Sequence, residues 1–157
     1  MRVRAALALA WIGAGCSASE GTSVSSHDPT RWTTSFSGAL AQAKAGGKVV
    51  LAEFTGSDWC PYCRKLDEEV LEKGDFADWA ARRAVLLEVD FPQRKMLTAE
   101  LARPNDELAT KYNIESYPTV VVLDGSGKEI GRLGYLPGGA AAWIAKADAV
   151  IGGAAPK

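Results

Sequence analysis

Residues 48–74 read KVVLAEFTGSDWCPYCRKLDEEVLEKG, and the order of patterns in this stretch decides the fold. Lys48 to Thr55 is a short apolar, β-prone run, the signature of a buried strand. The loop Gly56-Ser57-Asp58-Trp59 then leads into Cys60-Pro61-Tyr62-Cys63 and a segment predicted helical through about Lys73, with Gly74 as its stop. Cysteines three apart on a helix share a face, so the two thiols can close a small disulfide ring. Cys60, at the amino end, meets free N–H groups and the positive end of the helix dipole, both of which favour thiolate. Thiolate is the attacking species in disulfide exchange, so position alone distinguishes attacker from resolver. Pro61 is tolerated because the first helical turn needs no N–H from it.

Outward from this stretch the chain alternates helices and strands. Phe36, Ala39, Leu40 and Ala43 recur at helical spacing, and Gly46-Gly47 ends that helix. Phe76 and Trp79 mark a short helix with Asp75 placed to cap it, and Ala84 to Phe91 is a second buried strand. Met96 to Leu101 and Asp106 to Tyr112 are expected to form two helices separated by Pro104. Thr119 to Leu123 and Lys128 to Leu133 read as strands joined by Asp124-Gly125-Ser126-Gly127, an antiparallel hairpin. Trp143, Ile144, Ala147, Val150 and Ile151 give a last helix one apolar face. Strands separated by helices favour a parallel core, to which the hairpin adds one antiparallel strand. The expectation is an α/β fold with a mixed central sheet flanked by helices.

The amino terminus reads as an address. Arg2 and Arg4 precede the uncharged Ala5 to Gly15, whose eleven residues span only about 16 Å as a helix, half of a bilayer core. The expectation is a signal peptide over 1–15 and export to the periplasm. Ile12-Gly13-Ala14-Gly15-Cys16 resembles a bacterial lipobox, which implies lipidation of Cys16 and a membrane anchor; Gly13 departs from the usual aliphatic residue. The alternative is ordinary signal peptidase cleavage between Ala14 and Ala18. Residues 16–30 are rich in Ser and read as a flexible tether carrying His27, the sole histidine, and the domain proper runs from 31 to 153. Of 157 residues, 18 are Lys or Arg and 19 Asp or Glu. The resulting net charge of −1 gives no basic field for nucleic acid. Three cysteines are too few for a disulfide scaffold. Zinc would need about four ligands where Cys60 and Cys63 supply two, so no metal is expected.

Trp59-Cys60-Pro61-Tyr62-Cys63 after an apolar strand, together with Tyr117-Pro118-Thr119-Val120 before the hairpin, resembles the thioredoxin superfamily. The resemblance runs from about Trp32 to Ile151 and is greatest to exported single-domain members with a GSDWCxxC stretch. It implies that Cys60 attacks, Cys63 resolves, and Pro118 is cis beside the site, leaving backbone free to pair with an extended substrate. It further implies that Trp59, Pro61, Tyr62 and Tyr117 shape the substrate surface. Glu53, a charge within an apolar strand, matches the family's buried acid if one loop residue is inserted, and would exchange protons with Cys63. The lysine that often accompanies that acid is missing, its place being taken by Leu86. Asp67-Glu68-Glu69 reads as a solvated helix face, and Phe91 to Pro104 as an insertion relative to a minimal thioredoxin. The implied activity is thiol–disulfide exchange with protein substrates, as a reductase or isomerase supplied by a membrane electron donor. The chain is expected to work as a monomer with no cofactor beyond its own disulfide. Two other readings are a non-catalytic binding module and a glutaredoxin-type enzyme, whose usual tetrapeptide is also CPYC.

Overall fold

The structure, a computed structural model, describes residues 31–153. The expected signal peptide, tether, Cys16 and His27 lie outside the described residues. Strand β1 is Trp32–Thr33, followed by α1 (Phe36–Gly46), β2 (Val49–Thr55) and α2 (Pro61–Leu66). Beyond a π-helical turn at Asp67–Leu71 come α3 (Gly74–Arg83), β3 (Ala84–Asp90) and α4 (Ala99–Lys111). The hairpin β4 (Thr119–Leu123) and β5 (Glu129–Leu133) and the helix α5 (Gly139–Gly153) complete the order. The caps of α1 follow from its sequence: Ser35 Oγ accepts the Gly38 N–H at 3.2 Å, and Gly47 takes the left-handed conformation at φ 61°.

The strands lie in the order β1-β3-β2-β4-β5. β1, β3 and β2 are mutually parallel, β4 is antiparallel to β2, and β5 is antiparallel to β4. The hairpin adds one antiparallel strand to a parallel core, as expected; that strand is β4, and β5 runs parallel to β2. Alternation sends Leu51, Leu86, Val120 and Val122 to one face, under α2, α3 and α5, where Leu66, Phe76, Trp79 and Trp143 fill the core. Val50, Phe54, Leu87, Val89 and Val121 fill the other face against Ala39 and Ala43 of α1 and Leu108 of α4. Two buried faces explain why β2 and β3 read as continuous apolar runs.

Three local expectations are overturned. Gly74 does not stop the preceding helix: the π-helical turn closes with Glu72 N–H on the Asp67 carbonyl at 2.9 Å, and Gly74 is the first residue of α3. Asp75 is not that helix's cap, which is Lys73; it sits in the first turn, where its charge meets the positive end of the dipole. Pro104 does not divide the 96–112 region, because α4 runs through it from Ala99 and Met96 stands in the preceding loop. A proline inside a helix costs about 3 kcal/mol. Here Asn105 Nδ2 donates to the Asp90 carbonyl at 2.8 Å, and Leu108 and Tyr112 are buried, which together offset that cost.

Candidate active site

β2 ends at Thr55 on the carboxyl side of the sheet, and four residues carry the chain to Cys60, the cap residue of α2. Cys60 Sγ accepts the Cys63 N–H at 3.2 Å, and Pro61 fills the first helical position. Cys60 and Cys63 are disulfide-bonded, their Cα atoms 5.3 Å apart. Both cysteines are buried, Cys63 at 0% exposure and Cys60 at 3%. The Gly56 N–H donates to Cys63 Sγ at 3.5 Å. Each sulfur thus faces one backbone N–H, the arrangement that stabilises a thiolate once the bond between them opens.

The Tyr117–Pro118 peptide is cis, and Pro118 is buried. The Tyr117 ring meets Trp59 edge-on at 5.7 Å and Phe91 at 5.5 Å, while Trp59 Nε1 donates to the Phe91 carbonyl at 2.8 Å. Trp59, Tyr117 and Phe91 therefore build one aromatic wall beside the dithiol. Burial raises the Tyr117 phenol above its ordinary value. On the other side Tyr62 is 58% exposed and lies 5.9 Å from Tyr135, with Lys65 Nζ 5.7 Å and 5.9 Å from the two ring centres. Tyr135 donates its O–H to Glu69 at 2.8 Å, and Asp67 Oδ1 is buried, so the 67–69 run is not simply a solvated face.

Glu53 is 0% exposed, a buried acid within β2. Its neighbours across the sheet are Glu88 on β3 and Val120 on β4. Leu86 instead lies opposite Leu51, so the residue beside the buried acid is Glu88, a second buried carboxyl. Among the described residues no group of three or more His, Cys, Asp or Glu is placed to hold a metal ion.

Two carboxylates that the sequence reading passed over organise the loop. Asp58 accepts the N–H groups of Gln93, Arg94 and Lys95 at 2.9, 2.8 and 3.0 Å. The Gln93 hydrogen bond is the main cause holding its carboxyl below the usual range. The start of the 91–104 segment is thereby fastened to the residue two before Cys60. Asp90 accepts Ser57 N–H at 3.0 Å and Ser57 Oγ–H at 2.7 Å. Burial pushes its carboxyl up, with the Ser57 hydrogen bonds opposing and the Glu88 charge adding. The one signal in the sequence was a charge closing a largely apolar strand, Ala84–Asp90.

A family model for the thioredoxin-like domain matches residues 36–147. The chain belongs to the thioredoxin-like family. It is 35% identical over 117 residues to the disulfide bond reductase DsbH of Chlamydia pneumoniae, covering 74% of this chain and 70% of that one. A thioredoxin H-type protein of Oryza sativa subsp. indica is 33% identical over 108 residues, 68% of this chain and 70% of the relative. Among solved structures, a DsbH oxidoreductase superposes with a TM-score of 0.72 at 31% identity, over 85% of this chain and 95% of that one. A Thermus thermophilus thioredoxin does so with a TM-score of 0.57 at 26% identity, over 77% of this chain and 86% of that one. With the paired cysteines at the helix end, this thioredoxin-like protein is a thiol–disulfide oxidoreductase.

Proposed function

We propose that the protein reduces disulfides of protein substrates outside the cytoplasm, with Cys60 as nucleophile and Cys63 as resolving thiol. The observation that carries the assignment is the asymmetry of the pair: Cys60 stands at the amino end of α2 as its cap residue, while Cys63 lies one turn inside and is wholly enclosed. The Cys60 thiolate attacks a substrate sulfur, forming a mixed disulfide and expelling the other substrate sulfur with the electron pair. Cys63, its proton passed to Glu53, then attacks Cys60 Sγ; the intramolecular disulfide forms, and the second substrate sulfur leaves and takes a proton. The extended substrate pairs with the backbone beside cis Pro118, against a surface made by Trp59, Pro61, Tyr62 and Tyr117. The similarity to a protein named disulfide bond reductase supports the reducing direction.

Trapping tests the assignment. Cys63→Ala should accumulate covalent mixed disulfides on non-reducing gels and Cys60→Ala none; the reverse pattern refutes it. Glu53→Gln should slow resolution more than attack, because only the resolving thiol gives up its proton at that step. A measured potential above about −150 mV would place the protein among oxidants instead.

A reductant in an oxidising compartment must be recharged, so the reading includes an electron donor in the membrane. One supporting similarity is a 92-residue match at 33% identity to the thiol:disulfide interchange protein DsbD of Actinobacillus pleuropneumoniae, covering 56% of this chain and 13% of that protein. No helix among the described residues is long and apolar enough to cross a membrane. Attachment is assigned to a lipid on Cys16, because Ile12-Gly13-Ala14-Gly15-Cys16 resembles a lipobox, and the enzyme is taken to work as a monomer. Intact mass of the native protein decides: a chain beginning after residue 16 without lipid mass excludes the anchor.

A further inference from the structure

We infer that Asp90 is a positioning residue for the resolving thiol: through Ser57 it holds the Gly56 N–H on Cys63 Sγ. The contacts form one continuous path. Asp90 is 7% exposed, and its two carboxylate oxygens take the Ser57 N–H and the Ser57 hydroxyl at 3.0 and 2.7 Å. Gly56 lies between two peptides held from the end of β3: the Thr55 carbonyl, which shares its peptide with the Gly56 N–H, accepts the Phe91 N–H at 2.9 Å, and Asp90 holds the following Gly56–Ser57 peptide through Ser57, so both flanks of Gly56 are fixed while its N–H points at Cys63 Sγ, 3.5 Å away. Asp90 is itself anchored, its carbonyl accepting Asn105 Nδ2 at 2.8 Å. The brace therefore runs from α4 through β3 to the loop.

An N–H aimed at a sulfur is worth most when that sulfur carries charge, since hydrogen bonds to ions are about twice as strong as neutral ones. In the resolving step Cys63 must become thiolate before its electron pair attacks Cys60 Sγ. When the protein is recharged the electrons run the other way: a donor thiolate attacks Cys60 Sγ, the bond to Cys63 breaks, and Cys63 leaves with the pair. The Gly56 N–H stabilises Cys63 thiolate in both directions, provided the loop keeps its place.

The charge on Asp90 is no part of this role. Near Cys63 a carboxylate charge disfavours a second anion, and burial already pushes the Asp90 carboxyl up. The titratable groups around it are Glu88 on its own strand and Glu53 on β2. Asp67 stands on the turn after α2, and Lys95 and Asp106 share with Asp90 an open groove of about 380 Å³. An amide keeps both contacts with Ser57, one as acceptor and one as donor.

The test is a titration of the Cys63 thiol in the Cys60→Ala chain by thiolate absorbance, with and without changes at Asp90. Asp90→Ala should move the midpoint up by about one pH unit, a tenfold loss of thiolate. In the chain with both cysteines it should slow resolution about tenfold. Asp90→Asn should return both to within about threefold of the original. An unchanged midpoint in Asp90→Ala overturns the inference, because a residue that only braces the fold would lower the melting temperature and leave the thiol alone. Equal behaviour of Asp90→Asn and Asp90→Ala also overturns it, making charge the operative property. If Asp90→Ala does not fold, the unaltered reduced chain still answers: the Gly56 amide resonance should shift in step with Cys63 ionisation, and a resonance that stays still refutes the contact. The kinetic consequence rests on Cys63 being the resolving thiol, which trapping tests separately; the titration reads the contact whichever sulfur attacks.

Discussion

Gly56→Ala tests the loop at its tightest point. A β-carbon there would overlap the Trp59 indole, and Gly56 has no left-handed backbone that would itself demand glycine. The cost of the added methyl is therefore steric, and it falls on Trp59. Expelling the indole forfeits its hydrogen bond to the Phe91 carbonyl, about 1 kcal/mol, and its edge contact with Tyr117, about 0.5–1.5 kcal/mol. Against this, exchanging glycine for alanine stiffens the unfolded chain and returns about 0.4–1 kcal/mol. The net loss is about 0.5–2 kcal/mol, which for a chain of this size lowers the melting temperature by a few degrees. The assay is urea unfolding of the oxidised protein by circular dichroism, in a double-mutant cycle with Trp59→Ala. With the indole gone, Gly56→Ala should become neutral or slightly stabilising, a coupling of about 1.5–2.5 kcal/mol. An equal cost in both backgrounds would refute the steric argument. Turnover should fall along with stability in Gly56→Ala, since the displaced peptide carries the N–H that faces Cys63.

Three further outcomes follow from the same contacts. Asp58, its carboxyl lowered below the ordinary 3.8 chiefly by the Gln93 N–H, contributes fully above that value and loses its contribution as pH falls through the lowered one. Hydrogen exchange at residues 93–95 should quicken in that acid window, and Asp58→Ala should be fast at every pH. Asn105→Ala should cost about 1–3 kcal/mol in urea unfolding, because the buried Asp90 carbonyl is left without its donor; a loss under 0.5 kcal/mol would mean that water replaces it. Burial without full compensation raises the Asp90 carboxyl, so the folded state binds its proton more tightly and stability falls as pH rises from the unfolded value through the folded one. Asp90→Asn should therefore melt higher than the original at neutral pH, with the difference closing in acid.

Much of this protein was legible from residues close together in the chain. The strand-loop-helix around Cys60, the caps of α1, the hairpin and the apolar face of α5 are local, because periodicity, capping and turn chemistry act over a few residues. The dithiol was readable for the same reason, its spacing at a helix end carrying the geometry, whereas the cis state of Pro118 followed only from the resemblance to the thioredoxin superfamily, since an X–Pro bond by itself favours trans.

What the sequence could not decide rests on contacts between distant segments. β1 is two residues, Trp32–Thr33, and exists only because Leu86 and Leu87 offer it a partner edge. The direction of β4 is a property of which edge of β2 it meets, and nothing within TVVVL encodes that. Pro104 keeps its place inside α4 because Asn105 reaches back to Asp90 across 15 residues, a gain that helix propensity cannot register. The neighbour of Glu53 across the sheet is Glu88, which counting along a strand cannot supply because the register between two strands is set by their packing. Asp58 and Asp90 are single charges in the sequence. Their roles arise only where the fold brings residues about 33 positions apart into hydrogen-bond range, and so tertiary structure alone turns two ordinary aspartates into the braces of the dithiol loop.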